Sequence, residues 1–387
     1  MIRRLSALVP GLALALTLAV PAAADDTGMF LIRLGQDTTS IERYQRGADR
    51  LEIDQVGRAP RVMQRHLTYE YAKGKLAKLT LVATPAGAAA PTQTVTLSFD
   101  PDSARMRTEN ASGPPVNAAL AIPPGALVMS LSAPWALYEE ALMKLAAQKG
   151  DSLRMTMWAL GAANPYWLSL HRIGRDSVSV MNEHLDQFHV RIDKTGHILG
   201  VLPVAGTGKV SVERVASLDV PGLTASFAAR EKAGSGMGVL SPRDSVKTTV
   251  AGAALSIDYG RPGKRGRAIF GAVVPYGEVW RTGANAATQF RTDKALDFGG
   301  VMVPAGFYTL WTIPAADGWK LIVNGETGQW GTEHKAAKDL FTIPMKLATL
   351  PTVAERFTIS VDPSATGGVL NLDWDTTRAS AAFTVKP

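Results

Sequence analysis

Along most of the chain, apolar and polar residues alternate with a period of two. "MFLIRLG", "TTSIERYQ", "RLEIDQVG", "RVMQRHLTYEYA" and "KLAKLTLVAT" follow one another between Met29 and Thr84. Successive side chains of a strand point to opposite faces, so this pattern predicts half-buried strands. Leu51, Ile53 and Gln55 share one face; Glu52, Asp54 and Val56 share the other. The connections are short: Gly35-Gln36-Asp37, Arg46 to Asp49, Gly57 to Pro60, and Lys73-Gly74-Lys75. So few residues join neighbouring strands only in an antiparallel meander. "TVTLSFD" and "ARMRTE" predict another hairpin around Pro101-Asp102. The Pro/Gly-rich "TPAGAAAPTQ" and "ENASGPPVNAALAIPPGA" read as loops.

One segment changes period. In "APWALYEEALMKLAAQKGD", Trp135, Tyr138, Ala141, Leu142 and Leu145 recur at helical spacing. Pro134 suits the first turn, and Gly150 follows the end. Glu139 and Glu140 read as charges near the helix start, with Lys144 and Lys149 late. Strands then resume through "SLRMTMWALG", "PYWLSLHRIG", "DSVSVMN", "FHVRIDK", "HILGVLPV" and "GKVSVERV". This order of strands, helix and strands resembles the half-open barrel of periplasmic lipoprotein carriers and DUF3108-type envelope proteins. The resemblance is one of topology, without a motif. It implies a curved antiparallel sheet around the helix and an apolar ligand in the concavity; the plainer expectation is a filled core.

"FAAREKAGSGMGVLSPRDSV" is rich in turn formers, with Gly234, Gly236 and Gly238, and marks the junction. The expected plan is residues 25–232 as an antiparallel β domain with one helix, 233–244 as a linker, and 245–387 as a second β domain. In the latter, "GEVWRT", "TQFRTD", "LDFGGVMVPAGFYTLWTIP", "GWKLIVNG", "KLATL", "ERFTISVD", "GVLNLDWDTT" and "ASAAFTVKP" read as strands. Turns at roughly ten-residue spacing predict a β-sandwich. The expected fold class is therefore mostly β throughout.

Residues 1–24 fit no fold. "MIRR", the apolar "LSALVPGLALALTLAV" and Ala22-Ala23-Ala24 predict a cleaved secretory signal, and hence an exported protein, periplasmic or extracellular. No cysteine occurs in the 387 residues, which excludes thiol nucleophiles, thiolate metal sites and disulfides. Core burial must hold the fold. The net charge is +7; without Arg3 and Arg4, 39 basic residues face 34 acidic ones, a net +5. The excess is scattered, with no basic run interleaved with aromatics, so nucleic acid is not an expected partner. An envelope component is.

Catalytic signatures are sparse. The chain has no G-x-S-x-G elbow, no H-E-x-x-H pair and no S-x-x-K arrangement. "GTGKVS" at Gly206 to Ser211 lacks the spacing of a phosphate loop and reads as a hairpin turn. Glu183, His184, Asp186 and His189 cluster in "NEHLDQFHV", which reads as a polar sheet edge before a metal site. No cofactor is expected.

Four blocks in order carry a second resemblance: "YGRPGKRGRAIFGAVVPYGEVWRTGANAATQF", "VPAGFYTLWTIP", "WKLIVNGETGQWG" and "LNLDWDTT". From about Ser245 onward the chain resembles DUF2911, a family of exported bacterial proteins without an assigned function. The resemblance implies a β-sandwich and an exported setting but no activity. Read physically, the "GRP" and "RTGAN" loops offer Arg261, Arg281, Thr282 and Asn285 as a candidate site for an anionic or hydroxyl-rich ligand, with a tryptophan as platform. The plainer alternative is that Arg281 buttresses loops and Asn285 caps a turn. The basic "GKRGR" turn reads as solvated surface. The expectation is a non-enzymatic binding or scaffolding protein of the envelope; the alternative is a hydrolase acting on an envelope or carbohydrate substrate.

Overall fold

The computed structural model describes residues 26–100, 103–130, 133–162 and 164–386. The expected signal segment, residues 1–24, and Pro101-Asp102 at the tip of the expected hairpin lie outside them. The chain is mostly β, with 56% strand against 8% helix. Fifteen strands between Asp26 and Arg214 form one sheet, and nine strands from Arg243 onward form a second.

The first sheet consists of two meanders joined at its middle. One runs outward from Asp26–Leu34 to an edge at Val116–Leu120. The other begins at the opposite edge, Leu127–Met129, and returns until Ser211–Arg214 pairs antiparallel with Asp26–Leu34. Flat, fifteen strands at about 4.8 Å spacing would span roughly 65 Å. The chain crosses from one edge to the other through residues 121–126 alone, which reach at most about 25 Å. The sheet must therefore curl, and it does so without closing into a barrel.

The concavity holds helix α1, Trp135–Ala147. Its Trp135, Leu142 and Leu145 pack in one core with Phe30, Leu67 and Leu97 of the first meander and Met157, Leu170 and Val180 of the second. The helix end has no side-chain cap of its own. Glu42, from the strand Asp37–Arg46, supplies one: its carboxylate accepts from the N–H groups of Trp135 (3.0 Å) and Ala136 (2.8 Å).

Glu139 corrects an expectation. Helical spacing turns it into the sheet rather than to solvent, and it is fully buried. Its carboxylate accepts from the Tyr44 hydroxyl, the Arg214 guanidinium and, at 2.6 Å, the N–H of Ile198. It fastens the helix to both meanders and is no dipole-balancing surface charge.

A second helix was not legible as such. Helix α2, Val220–Lys232, occupies the stretch before the linker, including the first part of the expected junction. Asp219 caps it, accepting from the N–H of Gly222 at 2.9 Å. Phe227 lies over Ile41, Val56 and Val62 on the outer face of the first sheet. That explains why Val56 is buried on a face where Glu52 and Asp54 are not.

The second sheet folds over on itself as a sandwich around Tyr259, Phe357, Leu372 and a stack of aromatic rings. Its strands Asp339–Pro363 and Gly367–Val385 form one long hairpin, irregular between Thr349 and Thr358. "GEVWRT" is not a strand: only Trp280 makes an isolated bridge, to Thr312. Trp280 stacks on Trp374 at 5.9 Å, so two of the tryptophans are used as core.

Candidate functional site

The two sheets meet through the turn expected to be solvated. Arg265 of "GKRGR" donates to Asp37 at 2.7 Å, and its carbonyl accepts from the N–H of Gln36 at 3.1 Å. A basic turn with no intrachain role is thereby corrected to a docking element that grips the Gly35-Gln36-Asp37 turn. Nearby, the Thr332 hydroxyl donates to the carbonyl of His184 at 3.1 Å.

Beside these contacts lies a cleft of about 800 Å³ with walls from both sheets. Gly206 to Val210 and Leu185 form one wall; Arg267, Trp280, Arg281, Asn285, Thr332 and His334 contribute to the other. The Gly206–Lys209 stretch is the hairpin turn before Ser211–Arg214, as expected for "GTGKVS". Asp186 shapes it, accepting from Gly208 N–H at 2.8 Å, from Thr207 Oγ1 at 3.0 Å and from the N–H of Thr207. The other members of the "NEHLDQFHV" cluster do not join it: Glu183 accepts from Trp167 N–H, His184 lends its carbonyl to Thr332, and His189 is exposed on the strand Gln187–Ile192.

Arg281 spans the two walls. It donates through Nη1 to the carbonyl of Gly331 at 3.3 Å and through Nη2 to the carbonyl of Gly206 at 3.4 Å. Both bonds are long, and its buried Nε has no partner. Guanidinium carries five N–H donors, so most of its capacity is unspent. No carboxylate forms an ion pair with it among the described residues. Burial pushes its pKa down to about 10, opposed by the distant charge of Asp186. Lys209 is lowered as well, first by burial and then by the positive charge of Arg281. Arg267 is lowered by burial and by its neighbour Arg265, and it donates to the carbonyls of Lys264 and Gly263. Glu278 is the one acidic residue among those lining the cleft, and it is exposed. Lys209, Arg267 and Arg281 thus outnumber the acidic groups, and the cleft carries an excess of positive charge.

The four expected residues do not all meet. Arg281 and Asn285 line the cleft. Thr282 is fully buried beneath it, with φ of 51°. Its hydroxyl bonds the Trp280 carbonyl and Thr312 Oγ1, and its own carbonyl accepts from Thr288 Oγ1 at 2.7 Å. A β-branched residue at positive φ is strained, and the surrounding bonds hold it there. Asn285, at φ 63°, is exposed. Arg261 lies elsewhere: its guanidinium is taken up by Asp244, the Phe357 carbonyl and Thr358 Oγ1, between 3.0 and 3.2 Å. It ties the opening strand of the sandwich to the long hairpin.

Sequence reasoning missed two contributors. Lys209 was passed over because its motif fails as a phosphate loop. His334 was dispersed in sequence and had no local signal. It lines the same cleft, and its Nε2 lies 2.9 Å from Asp339 Oδ1. Asp339 Oδ1 also accepts from Asn324 Nδ2 at 2.8 Å, and the imidazole sits 4.8 Å from the Trp311 ring.

In the concavity of the first sheet, α1 fills most of the space. A recess of about 430 Å³ remains near Tyr69, Ile122 and Leu137, and the buried Tyr69 hydroxyl there has no partner. Asp26, Glu139 and His197 come close enough to hold a metal ion. Guanidinium groups occupy the same oxygens, Arg46 on Asp26 and Arg214 on Glu139, so the cluster is a salt-bridge network in this structure.

Fold and site define a mostly β protein of two sheets with a cation-lined cleft between them. Residues 241–383 match the family described as "Protein of unknown function (DUF2911)". A solved structure described as a "Beta-barrel-like Protein of Domain of Unknown Function DUF1849 from Brucella abortus" is similar over 49% of this chain and 95% of that one, at 9% identity and a TM-score of 0.34. No curated protein matches the chain.

Proposed function

We propose that this is an exported binding protein of the bacterial envelope whose interdomain cleft takes a small anionic ligand. One observation carries the proposal: Arg281, half-buried with an unpartnered Nε and no carboxylate partner, stands in the same cleft as Lys209. Buried polar groups are almost always satisfied, so unspent donors at a cavity wall call for an acceptor. An anion answers both the spare N–H groups and the excess charge. The apolar portions of the wall, such as Val239 and Val279, suit the rest of such a molecule. The signal-like segment at residues 1–24 supports export.

Isothermal titration of the purified protein with small carboxylates and with inorganic phosphate tests this. Binding is expected, and Arg281→Gln should abolish it. Absence of heat with every anion at millimolar concentration would dispose of the proposal. The rival reading as a hydrolase draws support from the His334–Asp339 pair at the cleft. Turnover of nitrophenyl esters or glycosides, lost in His334→Phe, would favour it.

A further inference from the structure

His334 adds a requirement that a bare anion does not meet. Asp339 Oδ1 accepts a hydrogen bond from the Asn324 amide, so it acts there as a carboxylate acceptor. The His334 Nε2 at 2.9 Å must then carry the ring proton, as in any imidazole oriented by a carboxylate. In the neutral ring Nδ1 is left as an acceptor. No described residue hydrogen-bonds it. Asn324 is itself fully buried, so the orientation of Asp339, and through it of the imidazole, is fixed from the core. Asn285, an exposed residue lining the same cleft, carries a side-chain amide and is held at φ 63° by the backbone bond from Gly331 N–H to its carbonyl, 2.9 Å. The cleft thus combines cationic donors with a preset neutral acceptor and an amide that offers both.

We infer that the ligand is a polyhydroxylated carboxylate of the sugar-acid class, with its carboxylate at Arg281 and Lys209 and a hydroxyl donating to His334 Nδ1. The inference rests on the anion-binding reading above and sharpens it. A cleft of about 800 Å³ accommodates a molecule of this kind with room for a substituent. The carboxylate satisfies the N–H groups that Arg281 leaves unspent. A hydroxyl is the natural donor to Nδ1, because it can also accept from the Asn285 amide.

Three probes separate the parts: glucuronate, cyclohexanecarboxylate of the same charge and ring size without hydroxyls, and glucose without charge. Calorimetry on the purified protein should give glucuronate an affinity about threefold to tenfold above cyclohexanecarboxylate, the size of one net hydrogen bond. Glucose should not bind measurably. His334→Phe should remove the preference by lowering glucuronate affinity to that of cyclohexanecarboxylate. Asp339→Ala is a second route: it removes the oxygen that holds the ring proton on Nε2, so Nδ1 is no longer preset as an acceptor. It should remove the preference too, and it remains informative if His334→Phe fails to fold. Equal affinity for the two acids, or a preference that survives both substitutions, overturns this inference and leaves anion binding standing. If neither acid binds, both fall. Glucose binding as tightly as glucuronate overturns the pairing of charge and hydroxyl.

Discussion

The guanidinium of Arg281, carried by the C-terminal sandwich, donates to the carbonyl of Gly206 in the N-terminal sheet at 3.4 Å. The bond is long, but its position matters: it puts a guanidinium without an ion-pair partner among the described residues on the seam between the sheets. Whatever occupies the cleft therefore touches both halves of the chain. Four outcomes follow from this arrangement and from the anchors that hold it.

Gly331 lets Arg281 pass. A Cβ there would stand 2.0 Å from Arg281 Cδ and 2.3 Å from the Asn285 carbonyl oxygen. Gly331→Ala must displace the arginine or the "RTGAN" loop, at a cost of about 2 kcal/mol or more. Urea unfolding should show that loss, and carboxylate binding should weaken with it. Unchanged binding would mean that Arg281 is not the anion's partner.

Arg265 fixes how the sheets dock. Its side chain is 11% exposed and that of Asp37 44%, so the pair is partly screened. Arg265→Ala should cost only about 1 kcal/mol in global stability. Its clearer effect should be on the linker: proteolytic cleavage between Gly234 and Gly238 should accelerate as the seam loosens. Asp37→Asn should act in the same direction. An unaltered cleavage rate in both variants would show that the turn is not a docking element.

Glu42 makes the fold sensitive to pH. Burial, opposed by the N–H groups of Ala136 and Trp135 and reinforced by the charge of Glu139, pushes its carboxyl up to about 7 from 4.5. A raised acid favours the folded state only while protonated. Its contribution is full below pH 4.5 and is lost as pH rises towards 7, by an amount of about 3 kcal/mol. The difference in unfolding free energy between wild type and Glu42→Gln should shift against the wild type across that window. A pH-independent difference would refute the assignment.

Glu139, on α1, is fully buried against the first sheet. Removing it leaves Arg214 partly buried without its carboxylate and Tyr44 without its acceptor. Glu139→Ala should cost about 3–5 kcal/mol, in the range for breaking a buried ion pair. Circular dichroism and chemical unfolding would register it, with α1 the first element to lose protection in hydrogen exchange. A loss below about 1 kcal/mol would mean that the helix is held by its apolar face alone.

Much of the fold was legible because sheet physics is local. Period-two alternation and short turns gave the meanders, and helical spacing gave α1, since each depends on neighbours a few residues apart. Helix α2 was missed because its apolar face is small, Phe227 being the main buried apolar group, and its stretch contains Pro221 and Gly222. "GEVWRT" misled because Val279 and Trp280 look like strand residues, yet Trp280 is turned into an aromatic stack that no local pattern reveals.

The site divides along the same line. The "RTGAN" loop announced itself by clustering an arginine, a glycine and an asparagine between apolar runs, and Arg281 and Asn285 do line the cleft. Arg261 has the same local signature, but Asp244 from the paired strand and Thr358 from the long hairpin use its donors. Lys209 and His334, 125 positions apart, share one cleft because the two sheets dock, through Arg265 on Asp37 and Thr332 on the His184 carbonyl. The sequence by itself determined the mostly β class, the single buried helix of the concavity and the loop to watch. Only the tertiary structure decided which cations are spent and which remain free, because that depends on partners brought together by sheet curvature and docking rather than by spacing along the chain.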